Sequence, residues 1–261
     1  MKRTKGGVHL PLRSLRQNRV ALLLYLLLTF FGTELVFLFE WERTLVLGIP
    51  PCVADVLCQL LTTYFFKTIA GLATAYLVLC MTKYDFTVPF ILRQRDKRSM
   101  WLRQCGRIAG ICLFTAVFVL AVVCLQGRLA GEAWINWGEY GSRYFATNEA
   151  LRPGLPFARV AAAVGLGVFL MLYFLCLLWL LCRWLTDRHL AGWLVILVWV
   201  TVDGDLGVPV FIGKLDFSLY EWAPSAAPEW RLLPILAGCL ALLAAGYAFA
   251  KRKDFLRVQQ K

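Results

Sequence analysis

Residues 20–39 read VALLLYLLLTFFGTELVFLF, twenty positions with a single charge, Glu34, and no proline. A helix rises 1.5 Å per residue, so twenty residues cover about 30 Å, the hydrocarbon thickness of a bilayer. No water is available at that depth to satisfy an open backbone, which leaves the helix as the form a lone apolar stretch can take there. Five further runs have the same character, near residues 56–81, 108–125, 160–182, 190–202 and 232–250. The chain is 60% hydrophobic and 17% charged, whereas a soluble domain of 261 residues carries about a quarter charged residues. The predicted fold is all-α, a single polytopic membrane domain (1–261) of six transmembrane helices.

The first run is too long for the apolar core of a signal peptide, about 7–15 residues, and ends in Phe39-Glu40-Trp41-Glu42 with no small-residue cleavage pattern. It reads as a retained anchor. The fifth run is solid to Val202 and then broken by Asp203, Gly204, Asp205, Gly207 and Pro209. This predicts a short helix followed by a re-entrant or interfacial segment over 203–231.

Lysine and arginine set the orientation, because cytoplasmic loops hold the excess of both. Of 28, twenty fall in the arm 1–19, the loop 82–107, the turn 183–189 and the tail 251–261; seven fall on the other side, and Lys67 lies within the second run. Both termini are therefore expected in the cytoplasm of a multi-pass protein of the cell membrane, with the bacterial plasma membrane the expected setting. Eleven of the sixteen acids lie on the opposite side, so the net charge of +12 faces membrane lipid or a cytoplasmic partner rather than nucleic acid.

Residues 8–19, VHLPLRSLRQNR, suit a short amphipathic helix on the cytoplasmic surface, or equally a disordered basic arm. The outside loop 126–159 (Trp134, Trp137, Tyr140, Tyr144, Phe145) and the segment 213–230 have the aromatic content of a membrane interface. Between the second and third runs, Pro89 is followed by an apolar triplet, Phe90-Ile91-Leu92, that leads into Arg93, Arg95, Lys97 and Arg98, after which Trp101 and Leu102 return to the interface. Basic charge alone would mark an ordinary cytoplasmic loop; the triplet points to docking on another protein.

Reactive chemistry is sparse. There is no GxxxxGK[ST], HExxH or GxSxG, and the two histidines are His9 and His189. No catalytic residue and no metal site is nominated. Nine cysteines without a CxxC pair read as small buried hydrophobes. Ionisable groups within apolar runs are costly. Glu34 and Lys67 can reach the same depth from adjacent helices, as an intramembrane ion pair or as part of a pathway. Asp203 and Asp205 are candidates for an outer gate, with solvated loop carboxylates the alternative. Gly106 and Gly110 form a GxxxG that predicts close helix approach.

Taken together, the basic amphipathic arm, six runs, basic loop between the second and third, interrupted fifth run and tail Lys251-Arg252-Lys253-Asp254-Phe255-Leu256 resemble the membrane subunit of an ABC-2-type transporter. The resemblance covers the whole chain through layout rather than through a strict motif, and Lys67 matches no pattern in it. It implies a permease subunit without catalysis of its own and without a bound cofactor, ATP and magnesium being held by a partner ATPase subunit. It implies a coupling helix within 88–104, with Phe90, Ile91, Leu92, Arg93 and Arg95 as docking residues, a homodimer or heterodimer of permease chains, and a role in export. A membrane scaffold or sensor that recruits cytoplasmic proteins, and an intramembrane enzyme, are the alternatives.

Overall fold

The computed structural model describes residues 19–50, 52–86, 96–130, 133–186, 188–204, 210–215, 217–223 and 228–252. The arm 1–18, most of the tail and the docking candidates Phe90, Ile91, Leu92, Arg93 and Arg95 lie outside them, as does Asp205. The described residues are overwhelmingly helical: α1 (Arg19–Leu47), α2 (Val53–Thr62), α3 (Tyr64–Thr82), α4 (Lys97–Leu129), α5 (Arg143–Asn148), α6 (Phe157–Thr186), α7 (His189–Gly204) and α8 (Leu232–Arg252). Pairing of extended backbone amounts to a parallel bridge, Cys52 with Ala133.

α1, α4, α6 and α8 are long and apolar enough to cross a membrane, and α2 with α3 makes a fifth span if the bent pair is one. The continuous apolar run over 56–81 is thus two helices at 73°. The break has a local cause. The hydroxyls of Thr62 and Thr63 both donate to the carbonyl of Gln59, at 2.9 and 2.8 Å, and Thr63 is extended (φ −79°, ψ 114°). Threonine hydroxyls bonding back onto the preceding turn compete with the helical ladder and bend it. α7 has 16 residues, about 24 Å of helix, and is shorter than the hydrocarbon layer.

α6 is the axis of the bundle and packs against α2, α3, α4, α7 and α8. It is apolar on every side, and Val164, Val168, Met171, Leu175, Cys176, Trp179 and Leu180 are all buried. A helix hydrophobic all round has to be surrounded. The outer helices are two-faced: α1 turns Leu23, Leu27, Phe31 and Leu38 outward, α4 Leu113, Phe114 and Val117, and α7 Leu190, Leu194 and Val198. Such apolar outer faces are stable against lipid tails.

The GxxxG at Gly106 and Gly110 is not a close approach, since a side chain at either would meet open space. The close approaches are elsewhere. A Cβ on Gly246 of α8 would fall inside the ring of Trp101, and one on Gly238 would lie 3.1 Å from the ring of Phe211.

Two polar layers close the ends of the bundle. In the layer holding residues 133–156, Trp137 and Tyr144 stack with centroids 4.8 Å apart, both buried. Trp137 Nε1 donates to Asp55 (2.8 Å), Tyr144 Oη donates to the Trp222 carbonyl (2.6 Å), and Asn148 donates to the Leu219 carbonyl (3.0 Å). Trp137, Tyr144, Phe217 and Trp222 are therefore interior residues of this layer, whereas Trp134, Tyr140, Tyr220 and Trp230 are exposed as an interfacial reading expects. The other layer contains the ends of α3, α6 and α8 and the start of α4.

Candidate docking site at the basic end

α3 ends in a 3₁₀ turn, Lys83–Phe86, after which the loop begins; the described chain resumes at Asp96, which caps α4 by accepting from the N–H groups of Arg98 (3.0 Å) and Ser99 (3.2 Å). Both ends of the loop are thereby defined by local chemistry.

The exit from α3 is tied down by a buried carboxylate. Asp85 accepts from Gln104 Nε2 at 3.2 Å and from Arg107 Nη1 at 2.9 Å, and Gln104 Oε1 accepts from Trp184 Nε1 at 2.9 Å. Asp85, Gln104 and Trp184 are buried. A carboxylate at such a position requires charged and polar donors, and this network supplies them. Beside it, the buried Arg183 donates to Thr82 Oγ1 (3.0 Å) and sits 3.8 Å over the ring of Phe86. Trp184 meets Trp101 edge-on at 5.6 Å, and Trp101 Nε1 donates to the Leu243 carbonyl of α8 at 3.2 Å. Trp101 is buried between helices and does not return to the interface. The two ends of the loop are thus linked by side-chain contacts to α3, α4, α6 and α8.

Of the remaining candidates, Glu34 is half-buried on α1 and Lys67 is buried on α3. Ion pairs between described residues join Arg107 to Asp85, Arg143 to Glu40, Arg159 to Glu229 and Arg231 to Glu221. Between α1, α3 and α4 runs a buried hydroxyl seam: Tyr25 Oη bonds Thr115 Oγ1 and neighbours Thr29 and Thr74, with Thr33 further along α1. Asp203 is buried and fully engaged. Its carboxylate accepts from the backbone N–H groups of Val210, Phe211 (3.0 Å) and Ile212 (2.6 Å) and from Trp199 Nε1 (3.1 Å). This folds the chain back beside the last turn of α7, where Phe211 packs on Trp199 and Phe174.

Among the described residues no group of three or more His, Cys, Asp or Glu side chains is placed to hold a metal ion. At the opposite end, burial lowers the pKa of Arg143, and the hydrogen bond from Arg159 holds Glu229, in the turn before α8, below the usual carboxylate range. Asp85, Gln104, Arg107, Thr82, Arg183 and Trp184 were not singled out by sequence reading. Their one visible signal is Asp85 itself, an acid in a strongly basic loop. No family model, no curated protein and no solved structure matches the chain.

Proposed function

We propose that the chain is a permease subunit of an ABC-2-type transporter, crossing the membrane six times with both termini in the cytoplasm. The bent α2–α3 pair counts as one crossing and α7 with its folded-back segment as another. The loop containing Phe90, Ile91, Leu92, Arg93 and Arg95 docks on a separate ATPase subunit, which binds and hydrolyses ATP with magnesium. What carries this reading is the bracing around that loop: Asp85, Gln104 and Arg107 at its exit, Asp96 at its return, and Trp101 and Trp184 behind. A push on a loop held in this way passes into α3, α4, α6 and α8 together. The hydroxyl seam between α1, α3 and α4 gives the same subunit a polar element on its way through the membrane, and a second permease chain would complete the pathway.

Co-expression with an ATPase encoded beside it, with a photo-crosslinker at position 92, tests this. The reading expects a cross-link to the ATPase whose yield changes between nucleotide-free and ATP-trapped states, and no ATPase activity from the chain alone. Absence of a cross-link to any such ATPase contradicts it. The dense apolar packing around α6 favours a second reading, a scaffold or sensor, for which the cross-linked protein would be a non-ATPase and the yield indifferent to nucleotide.

A further inference from the structure

α4 and α8 meet at the basic end through one tight contact, Trp101 lying where Gly246 has no side chain. One turn nearer the start of α4, the guanidinium of Arg98 sits 4.6 Å above the ring of Tyr247. Arg98 Nε is buried with no hydrogen-bond acceptor, and none of the ion pairs among the described residues includes Arg98. The adjacent acid, Asp96, spends its carboxylate on backbone N–H groups. Arg98 is thus held by a ring rather than by a carboxylate, and its charge is uncompensated by them.

Lys251 follows Tyr247 by four residues, which puts it on the same face of α8 one turn nearer the end, with Arg252 beside it; both are exposed. Lys97 adjoins Arg98. The face that ends in Tyr247 and Lys251 continues into the membrane through Leu243, Leu240 and Leu236, at helical spacings of three and four, and Leu240 and Leu236 are exposed. Cations at the end of an exposed apolar stripe match a molecule with an anionic head and hydrocarbon tails. A guanidinium fork suits two oxygens of a phosphodiester, and basic clefts between membrane helices on the cytoplasmic side bind anionic lipid headgroups.

We infer that the surface formed by the start of α4 and the end of α8 binds one anionic phospholipid, its phosphate between Arg98 and Lys251 and its acyl chains along Leu243, Leu240 and Leu236. The site lies on this chain alone and does not depend on the docking reading, so it is tested without an ATPase. The purified chain in neutral detergent would be examined by native mass spectrometry with phosphatidylglycerol, with phosphatidylcholine, and with phosphatidylglycerol plus millimolar inorganic phosphate. The expected result is one tightly held phosphatidylglycerol, preferred over phosphatidylcholine and not displaced by phosphate. R98Q should weaken it by about five-fold and K251Q/R252Q by about ten-fold or more. The double variant alters exposed side chains, and an unchanged melting midpoint would show that it folds. Equal retention of the two lipids, displacement by phosphate, or wild-type binding by the folded double variant would each overturn the assignment.

Discussion

Asp203 shows how a residue can be conspicuous in a sequence for one reason and matter in the fold for another. A carboxylate at the end of an apolar run suggests a gate, yet its two oxygens serve three backbone N–H groups and an indole across a turn of the chain. That role was illegible because it depends on how the chain folds back after Gly204, which hydropathy does not encode. Hydrogen bonds to a charged acceptor are worth about 1.5–3 kcal/mol, and orphaned buried donors cost more. Asp203→Ala is therefore expected to lose about 3 kcal/mol and Asp203→Asn roughly half of that, read as thermal unfolding in detergent. Equal stability of all three proteins would refute the staple. Gly246 is the converse case, inconspicuous in sequence and fixed by a neighbour. Because Trp101 is anchored through its Nε1, Gly246→Ala should cost about 1–3 kcal/mol by overpacking, while Gly110→Ala, facing open space, should be neutral or better.

At the scale of elements, the apolar runs over 20–39, 160–182 and 232–250 recover α1, α6 and α8 well, because a lipid-crossing helix must be written in continuous apolar residues. The same signal cannot show a bend. Residues 56–81 are apolar throughout, and the break at Thr63 is set by hydroxyls competing for the Gln59 carbonyl. Nor can it show helix that continues into polar sequence: α4 begins at Lys97, well before its apolar run at 108, where Asp96 supplies the cap. The short α7 was legible, since Gly204 and Pro209 punctuate its end. Among the ion pairs that join elements, Arg143–Glu40 is buried at both partners and links α5 to the end of α1. Arg143→Met should cost about 3–5 kcal/mol by leaving Glu40 buried without its partner, and Glu40→Leu in addition should recover most of it. A double-mutant cycle in melting free energy checks this. By contrast Arg159–Glu229 is part-exposed and belongs with pairs worth about 0–1 kcal/mol, present at neutral pH and lost as pH falls through the lowered pKa of Glu229.

For the molecule as a whole, the orientation we propose puts the layer containing Asp85, Gln104, Arg183, the start of α4 and the end of α8 toward the cytosol, and the layer containing Trp137, Tyr144 and Trp222 away from it. The count of basic residues is what supports that orientation; the side-chain network that braces the loop was not legible in sequence, because its members lie far apart in the chain, from Thr82 to Leu243. Labelling of Leu92→Cys and Tyr220→Cys by a membrane-impermeant maleimide, in intact cells and in inverted vesicles, tests the claim most directly, with the parent chain as background for its own buried and half-buried thiols. The account predicts that position 92 reacts in inverted vesicles alone and position 220 in intact cells alone. Reaction of position 92 from outside, or of both positions from one side, would contradict it.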